Sequence, residues 1–347
     1  RSPPNNPRFR RLNRIKIILS RRGTMKKSLI AIGEALIDFI PQQTGCDFEA
    51  VKGFEPKTGG APANVCGAFA KLGGNAKIIT QLGDDLFGTK IAHELAESGI
   101  DTSYISFTDK ANTALAFVSL NSDGGRSFSF YRKPSADMLF SAEQVKEDWF
   151  KNDLSALHFC SVSLGDFPMR EAHKKAIEFA EKNNALISFD PNLRFQLWDD
   201  KENLKSALKE FIPMADILKV SDEEIEFITG ETDIEKALPV LMCGNVKLVV
   251  YTCGKSGAYA FTKHTKAFAE SAKVKAKDTT GAGDGFIGSF LWKLCDIGAE
   301  KQELENLSES QLEECLKFSN TFCGISVQKA GAIASYPDIE EMKKVTG

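Results

Sequence analysis

Short apolar runs alternate with amphipathic stretches along most of this chain. Ser28-Leu29-Ile30-Ala31-Ile32-Gly33 reads as a buried strand, and Ala76–Leu82 as another. The spacing then predicts a helix over Leu86–Glu97, stopped by Ser98-Gly99. Further on, a strand at Leu154–Cys160 precedes a helix at Arg170–Asn183, and one at Leu186–Asp190 precedes a helix at Lys201–Phe211. The strand Ile217–Val220 leads into a helix at Asp222–Thr229 ended by Gly230, and Lys247–Thr252 comes before a helix at Gly283–Cys295. Alternation of this length predicts a mainly parallel sheet covered by helices on both faces. Ligands of such sheets sit at the carboxyl ends of the strands.

One stretch departs from that rhythm. Thr113–Asn121 and Arg126–Tyr131 read as strands joined by the hairpin turn Ser122-Asp123-Gly124-Gly125. A β element near Phe39–Gly53 is placed to pair with them. Together they suggest a small sheet standing off the main one as a lid; an ordinary edge hairpin is the other reading.

Composition narrows the class. Of 347 residues, 42% are hydrophobic and 26% charged, the balance of a globular protein. The longest apolar run, Leu29 to Ile40, is broken by Glu34 and Asp38 and is too short to cross a bilayer. The net charge is -3, which gives no reason to expect a nucleic-acid partner. Residues 1–24 hold seven Arg, one Lys and no acid, so this +8 leaves -11 on the remainder. This basic leader before Met25 is expected to lie outside the fold, as an upstream-translated extension or a targeting peptide. The eight Cys include no C-x-x-C pair and the four His lie far apart, so reduced thiols in a cytoplasmic protein are expected.

Candidate chemistry is concentrated at a few turns. Asp278-Thr279-Thr280-Gly281-Ala282-Gly283-Asp284-Gly285 precedes an apolar helical stretch. Small residues from Gly281 to Gly283 leave N–H groups uncovered at a helix start, an anion site aided by the helix dipole. Asp284 then sets a carboxylate beside that anion, which serves if it takes a proton from a hydroxyl attacking a phosphoryl group. A Gly-rich helix start with an N-terminal Asp explains the same residues. Thr58-Gly59-Gly60-Ala61-Pro62-Ala63-Asn64 offers close backbone approach and an amide suited to a polyhydroxylated ligand, or is a plain strand-to-helix turn. Asp38 follows a buried strand, where a carboxylate must be paired or face a cleft. In Asp190-Pro191-Asn192-Leu193-Arg194, Asn192 and Arg194 point into the strand-end crevice, where Arg can hold a hydroxyl pair or a phosphate. Thr252-Cys253-Gly254-Lys255-Ser256-Gly257 could line a nucleotide or form a hairpin turn.

Two familiar nucleotide motifs do not fit. Gly283-Asp284-Gly285-Phe286-Ile287-Gly288 spells G-x-G-x-x-G, but its lead-in, Lys275 to Thr280, is no buried strand, which argues against a nicotinamide oxidoreductase. A G-x-x-x-x-G-K-[ST] loop is missing from the sequence.

Taken together, Gly59-Gly60-Ala61-Pro62-Ala63-Asn64 and Asp278-Thr279-Thr280-Gly281-Ala282-Gly283-Asp284 resemble the two signatures of the ribokinase-like (PfkB) carbohydrate kinase family. The resemblance runs from about Met25 to Pro337. Ala116 to Leu120, Phe130 to Met138, Asp190 to Arg194 and Ser221-Asp222-Glu223-Glu224 resemble the fructokinases within it. The family resemblance implies a three-layer α/β/α sandwich over residues 25–347, with lid strands from about 39–53 and 113–131. It also implies ATP-dependent phosphorylation of D-fructose to fructose 6-phosphate with Mg²⁺. The same chemistry on 2-keto-3-deoxygluconate, ribose or a nucleoside is the nearest rival, and a non-catalytic sugar-binding regulator a more distant one.

The implied roles follow residue by residue. Asp284 is the general base, and the amides of Gly281, Ala282 and Gly283 form the anion hole. Asp38, Gly59, Gly60, Asn64 and Arg194 hold the sugar, with Phe117 and Arg132 reaching it from the lid. Thr252, Gly254 and Gly257 border ATP, Asn320 lies near the adenine, and Glu224 acts through metal-bound water. Asp278 and Thr280, with the loop from Gly331 to Ser335, match a potassium site. The wider family has Asn-x-x-Glu where this chain has Ser221 to Glu224, so Ser221 departs from the pattern. A lid-to-lid homodimer is expected if the hairpin exposes Phe117, Phe128 and Phe130 on one face.

Overall fold

The computed structural model describes residues 27–43, 45, 48–120, 126–151 and 154–346. The basic leader, Cys46 and the hairpin turn at 122–125 lie outside them. Thirteen strands are found among the described residues: β1 (Ser28–Ile32), β2 (Leu36–Pro41), β3 (Phe54–Gly59), β4 (Asn75–Gly83), β5 (Ile105–Thr108), β6 (Leu115–Leu120), β7 (Arg126–Tyr131), β8 (Ala156–Cys160), β9 (Leu186–Asp190), β10 (Ile217–Ser221), β11 (Leu248–Thr252), β12 (Ala258–Phe261) and β13 (Lys266–Ala269). Nine form one sheet in the order β13-β12-β11-β10-β9-β8-β1-β4-β5. Neighbouring strands are parallel except in the pairs β11–β12 and β12–β13, so β12 alone runs against the others.

The unbroken apolar character of β1 has a direct cause: the strand is buried on both sides. Leu29 and Ala31 join one core cluster, with Phe286, Ile287 and Phe290 of the helix Ala282–Asp296. Ile30 and Ile32 join the other, with Ala172 and Ala176 of the helix Met169–Lys182 and Leu204 of the helix Lys201–Phe211. Helix ends follow local chemistry. The Asp85 side chain caps the helix Leu86–Glu97 by accepting from Gly88 N, and Gly99 beyond it takes φ 83°. Gly230 closes the short helix Ile225–Thr229 in the left-handed conformation. That helix starts later than the expected Asp222, because the Glu224 carboxylate holds the Ser221 amide and hydroxyl in a turn before it.

The polar stretch between Gly298 and Ser310 is not one continuous helix. A 3-10 turn at Leu304–Asn306 stands there, and the helix Glu309–Ser326 begins only after a capping box formed by Ser308 and Gln311.

The remaining four strands form a separate sheet, ordered β3-β2-β6-β7. Its second member was expected within 39–53; the strands are instead Leu36–Pro41 and Phe54–Gly59, with the connection between them. Register decides which way each side chain faces. Asp38 pairs with Ala116, which pairs with Phe130, so these share one face. Phe39 pairs with Phe117, which pairs with Ser129, and these share the other. The expectation of Phe117, Phe128 and Phe130 on one face is therefore corrected. Phe128 and Phe130 stack on each other, while Phe117 stacks on Phe39 at 4.6 Å between ring centroids.

Candidate active site

The helix Ala282–Asp296 begins in the crevice at the carboxyl ends of the central strands. Gly281 precedes it with φ 70°, and a Cβ there would lie 2.6 Å from Ala332 Cβ and 2.7 Å from the Tyr336 hydroxyl. Only glycine fits both the dihedral and the space. Tyr336 in turn donates its hydroxyl to Gly281 O at 2.7 Å and fixes the turn. Asp278 braces the other side, accepting from Thr280 N, Thr280 Oγ1 and Gly331 N at 2.9, 2.7 and 2.9 Å. One amide of the expected anion hole is engaged inside the turn: Ala282 N donates to Thr279 O at 3.2 Å. The exposed Gly283 and the amide of Asp284 head the helix.

Asp284 is buried, and an amide holds each of its carboxylate oxygens. Asn64 Nδ2 donates to Oδ2 at 2.9 Å, and Asn192 Nδ2 to Oδ1 at 3.3 Å. Burial pushes the carboxyl above its ordinary pKa, against the opposing pull of Asn64, Arg194 and Lys219. Asn64 lies in the first turns of the helix Ala61–Lys71, so the late helix and the diglycine turn share one cleft. Gly60 enters that helix at φ 106°, and the Asp38 carboxylate lies over Gly59, where a Cβ would meet Oδ2 at 2.1 Å. Burial raises Asp38 to about 7; Arg194 lowers it, and Asp284 raises it further. Asp38, Gly59, Gly60, Asn64, Arg194 and Asp284 are thus brought together.

On the far side of Gly283 lies a cavity of about 370 Å³. Thr252, Gly254, Gly257 and Asn320 all line it. Asn320 also pins the end of β13 by donating to Ala269 O and Glu270 O at 2.9 and 3.1 Å. Lys219 on β10 lines the same cavity and was missed from the sequence. A lone Lys in an apolar run gives no sign of its direction. The fold turns its Nζ to 2.9 Å from Asp190 Oδ2, and to 3.4 Å from where a Gly283 Cβ would stand. Burial works against the lysine's charge, but Asp190 and Glu224 outweigh it and raise its pKa. Burial likewise raises Asp190 to about 6, with Lys219 opposing.

Three expected contacts are placed elsewhere. The Glu224 carboxylate accepts from Leu193 N, Ser221 N and Ser221 Oγ and so anchors loops, while Asp222 and Glu223 line the cavity. Phe117 faces away from Asp38, among Phe39, Phe54 and Tyr131. The buried Arg132 bonds Asp137, Val162 O and Ser163 Oγ beneath the lid, and Ser163 passes the chain to Glu34, which caps Ala61 N. The guanidinium that faces Asp38 and Asp284 is that of Arg194. Among the described residues, no group of three or more His, Cys, Asp or Glu is arranged to hold a metal ion.

The described chain matches a model of the pfkB family carbohydrate kinases over residues 26–339. It is 41% identical over 322 residues to a protein named probable fructokinase-4 from Arabidopsis thaliana, covering 92% of this chain and 97% of that one. A Xylella fastidiosa fructokinase solved with bound ATP superposes with a TM-score of 0.85 at 32% identity, over 92% of this chain and 98% of its own. A Vibrio cholerae fructokinase solved with fructose, ADP and calcium gives 0.81 at 29% identity, over 93% and 100%.

Proposed function

We propose that this chain, which belongs to the pfkB family of carbohydrate kinases, is an ATP-dependent fructokinase that phosphorylates D-fructose on O6. One observation carries the reading: a buried carboxylate, held on both oxygens, stands at a helix start between a polar cleft and a nucleotide-sized cavity. Asp284 takes the proton from the sugar's primary hydroxyl as that oxygen bonds the γ-phosphorus and the bond from phosphorus to ADP breaks. The amides of Gly283 and Asp284 and the buried Lys219 meet the charge on the phosphoryl group.

The sugar side fits a polyol. Asn64 Oδ1 is buried without a hydrogen-bond partner among the described residues, and a substrate hydroxyl supplies one. Asp38 accepts from hydroxyls, and the exposed Arg194 closes the pocket. A divalent cation, when bound, neutralises the nucleotide phosphates, and Asp222 and Glu223 would hold it; a cation carried mainly by phosphates needs no all-protein cage. The oxygen donors of Asp278 and Thr280, beside the loop at Gly331, would suit potassium. All seven described cysteines are free, which fits a reducing cytoplasm. Phe54 and Phe117, with the exposed Phe48 and Tyr131, form the outer aromatic face of the lid, and we place a homodimer contact there.

The test is ADP release measured across fructose, ribose, 2-keto-3-deoxygluconate and nucleosides. Fructose is expected to give the highest kcat/KM. A higher value for another acceptor would overturn the sugar assignment, and no release with any acceptor would overturn the kinase.

A further inference from the structure

The loop after β9 holds a residue whose conformation needs an explanation. Asn192 is 7% exposed and takes φ 42°, one of two non-glycine residues with positive φ among those described. Left-handed backbone is unfavourable for a residue with a Cβ, although Asn tolerates it better than most. The surroundings hold it there. Asn192 N donates to Asp190 Oδ1 at 3.1 Å, the ion pair with Lys219 fixes Asp190 at 2.9 Å, and Leu193 N donates to Glu224 Oε1 at 2.8 Å. The outcome is one contact, Asn192 Nδ2 to Asp284 Oδ1 at 3.3 Å, opposite the contact Asn64 makes with Oδ2.

We propose that Asn192 is a positioning residue, whose amide, aimed by a left-handed backbone, fixes the rotation of the Asp284 carboxylate towards the acceptor hydroxyl. The inference rests on the proposed kinase reading and adds to it the device that aims the base. An amide suits the task because it donates without adding charge. Asp284 is already faced by Asp38 from the lid, Asp190 and Arg194 from the β9 loop, Lys219 from β10, Cys160 from β8, and Cys323 and Tyr336 from the C-terminal segments. A second carboxylate at 192 would repel the base's ionised form, whereas an apolar residue would release one oxygen. One of the loop's braces, Lys219, lines the nucleotide-sized cavity, so the aim of the base is tied to that end of the cleft.

Asn192→Gly is the informative variant, because glycine keeps the left-handed backbone and removes only the amide. We expect kcat to fall about tenfold, the scale of one hydrogen bond to a charged group, with the ATP KM unchanged. The acid limb of the kcat profile is expected to move to higher pH, since the lost donor had favoured the ionised carboxylate. Asn192→Asp, also tolerant of the left-handed backbone, is expected to move it further. A wild-type profile for Asn192→Gly, or a lower kcat with an unmoved acid limb, overturns the proposal. Carboxyl ¹³C titration of Asp-labelled protein without substrate gives a second readout, with Asp284 identified by its loss in Asp284→Asn. Its midpoint is expected to rise in Asn192→Gly, and no rise overturns the proposal. Should wild-type protein phosphorylate no sugar, the kinase reading falls, while the titration still decides the role of Asn192.

Discussion

In the nine-stranded sheet every residue of β8 and β9 is buried; in the four-stranded sheet Asp38, Phe39 and Ile40 of the strand β2 are all half-buried. The difference matches what the proposed reaction asks of each end of the cleft. The large sheet fixes Asp190, Lys219 and the helix start at Gly281, where charge would move in the proposed transfer and any reorganisation would raise the barrier. The small sheet contributes Asp38, whose carboxylate lies over Gly59 on the side proposed for the sugar. Among the described residues, Leu36, Ala114 and Ala116 with Phe130 form the apolar cluster on that face, while Ile37, Phe39 and Leu115 on the other face join the main core.

Substitutions on the two sides should therefore differ in kind. The largest effect is expected from Asp284→Asn on the rigid side: kcat falls by about 10³ or more, and ADP release under saturating fructose and ATP measures it. Because burial raises the carboxyl's pKa in the fold, its stabilising share is present at low pH and lost as pH rises through the folded value. The Tm of Asp284→Asn at pH 8 is thus not expected to fall below wild type.

Asp38→Asn comes next, and should act on fructose rather than on turnover. The fructose KM is expected to rise about tenfold to a hundredfold with the ATP KM unchanged, because a hydroxyl-binding carboxylate is lost. In wild type the fructose KM should climb as pH drops through about 7, where Asp38 takes up its proton. An equal loss in both KM values would erase the proposed division between the ends. The smallest effect belongs to the outer lid face. Tyr131→Ser, with Phe117→Ser, is expected to shift the protein towards monomer in sedimentation while kcat stays within about twofold. A large fall in kcat there would show the two lid faces to be coupled.

The same division governed what the sequence revealed. The large sheet was legible because two-sided burial writes continuous apolar strands; Leu186–Asp190 and the helices Leu86–Glu97 and Lys201–Phe211 have the expected bounds. β5, only Ile105–Thr108 at a sheet edge, carries too few residues to show a period. In the lid, facing depends on parity and register, so Phe117 was assigned to the wrong face although its strand was found. Asp284 and Asn64 could be picked out because glycines mark their turns, and Asp38 because a carboxylate after a buried strand must be paired or face a cleft. Lys219 and the role of Asn192 could not, since their partners, Asp190 and Asp284, come from separate segments that only the fold brings together.

The clamp on Asp284 joins residues 220 and 92 positions apart in the chain. A chain emerging from the ribosome therefore completes its sugar-side turn long before it owns a base. Even with all residues made, misdocking any of three distant segments leaves the carboxylate unaimed. A molecule in which one of these segments has not docked is therefore expected to turn over more slowly than the assembled one.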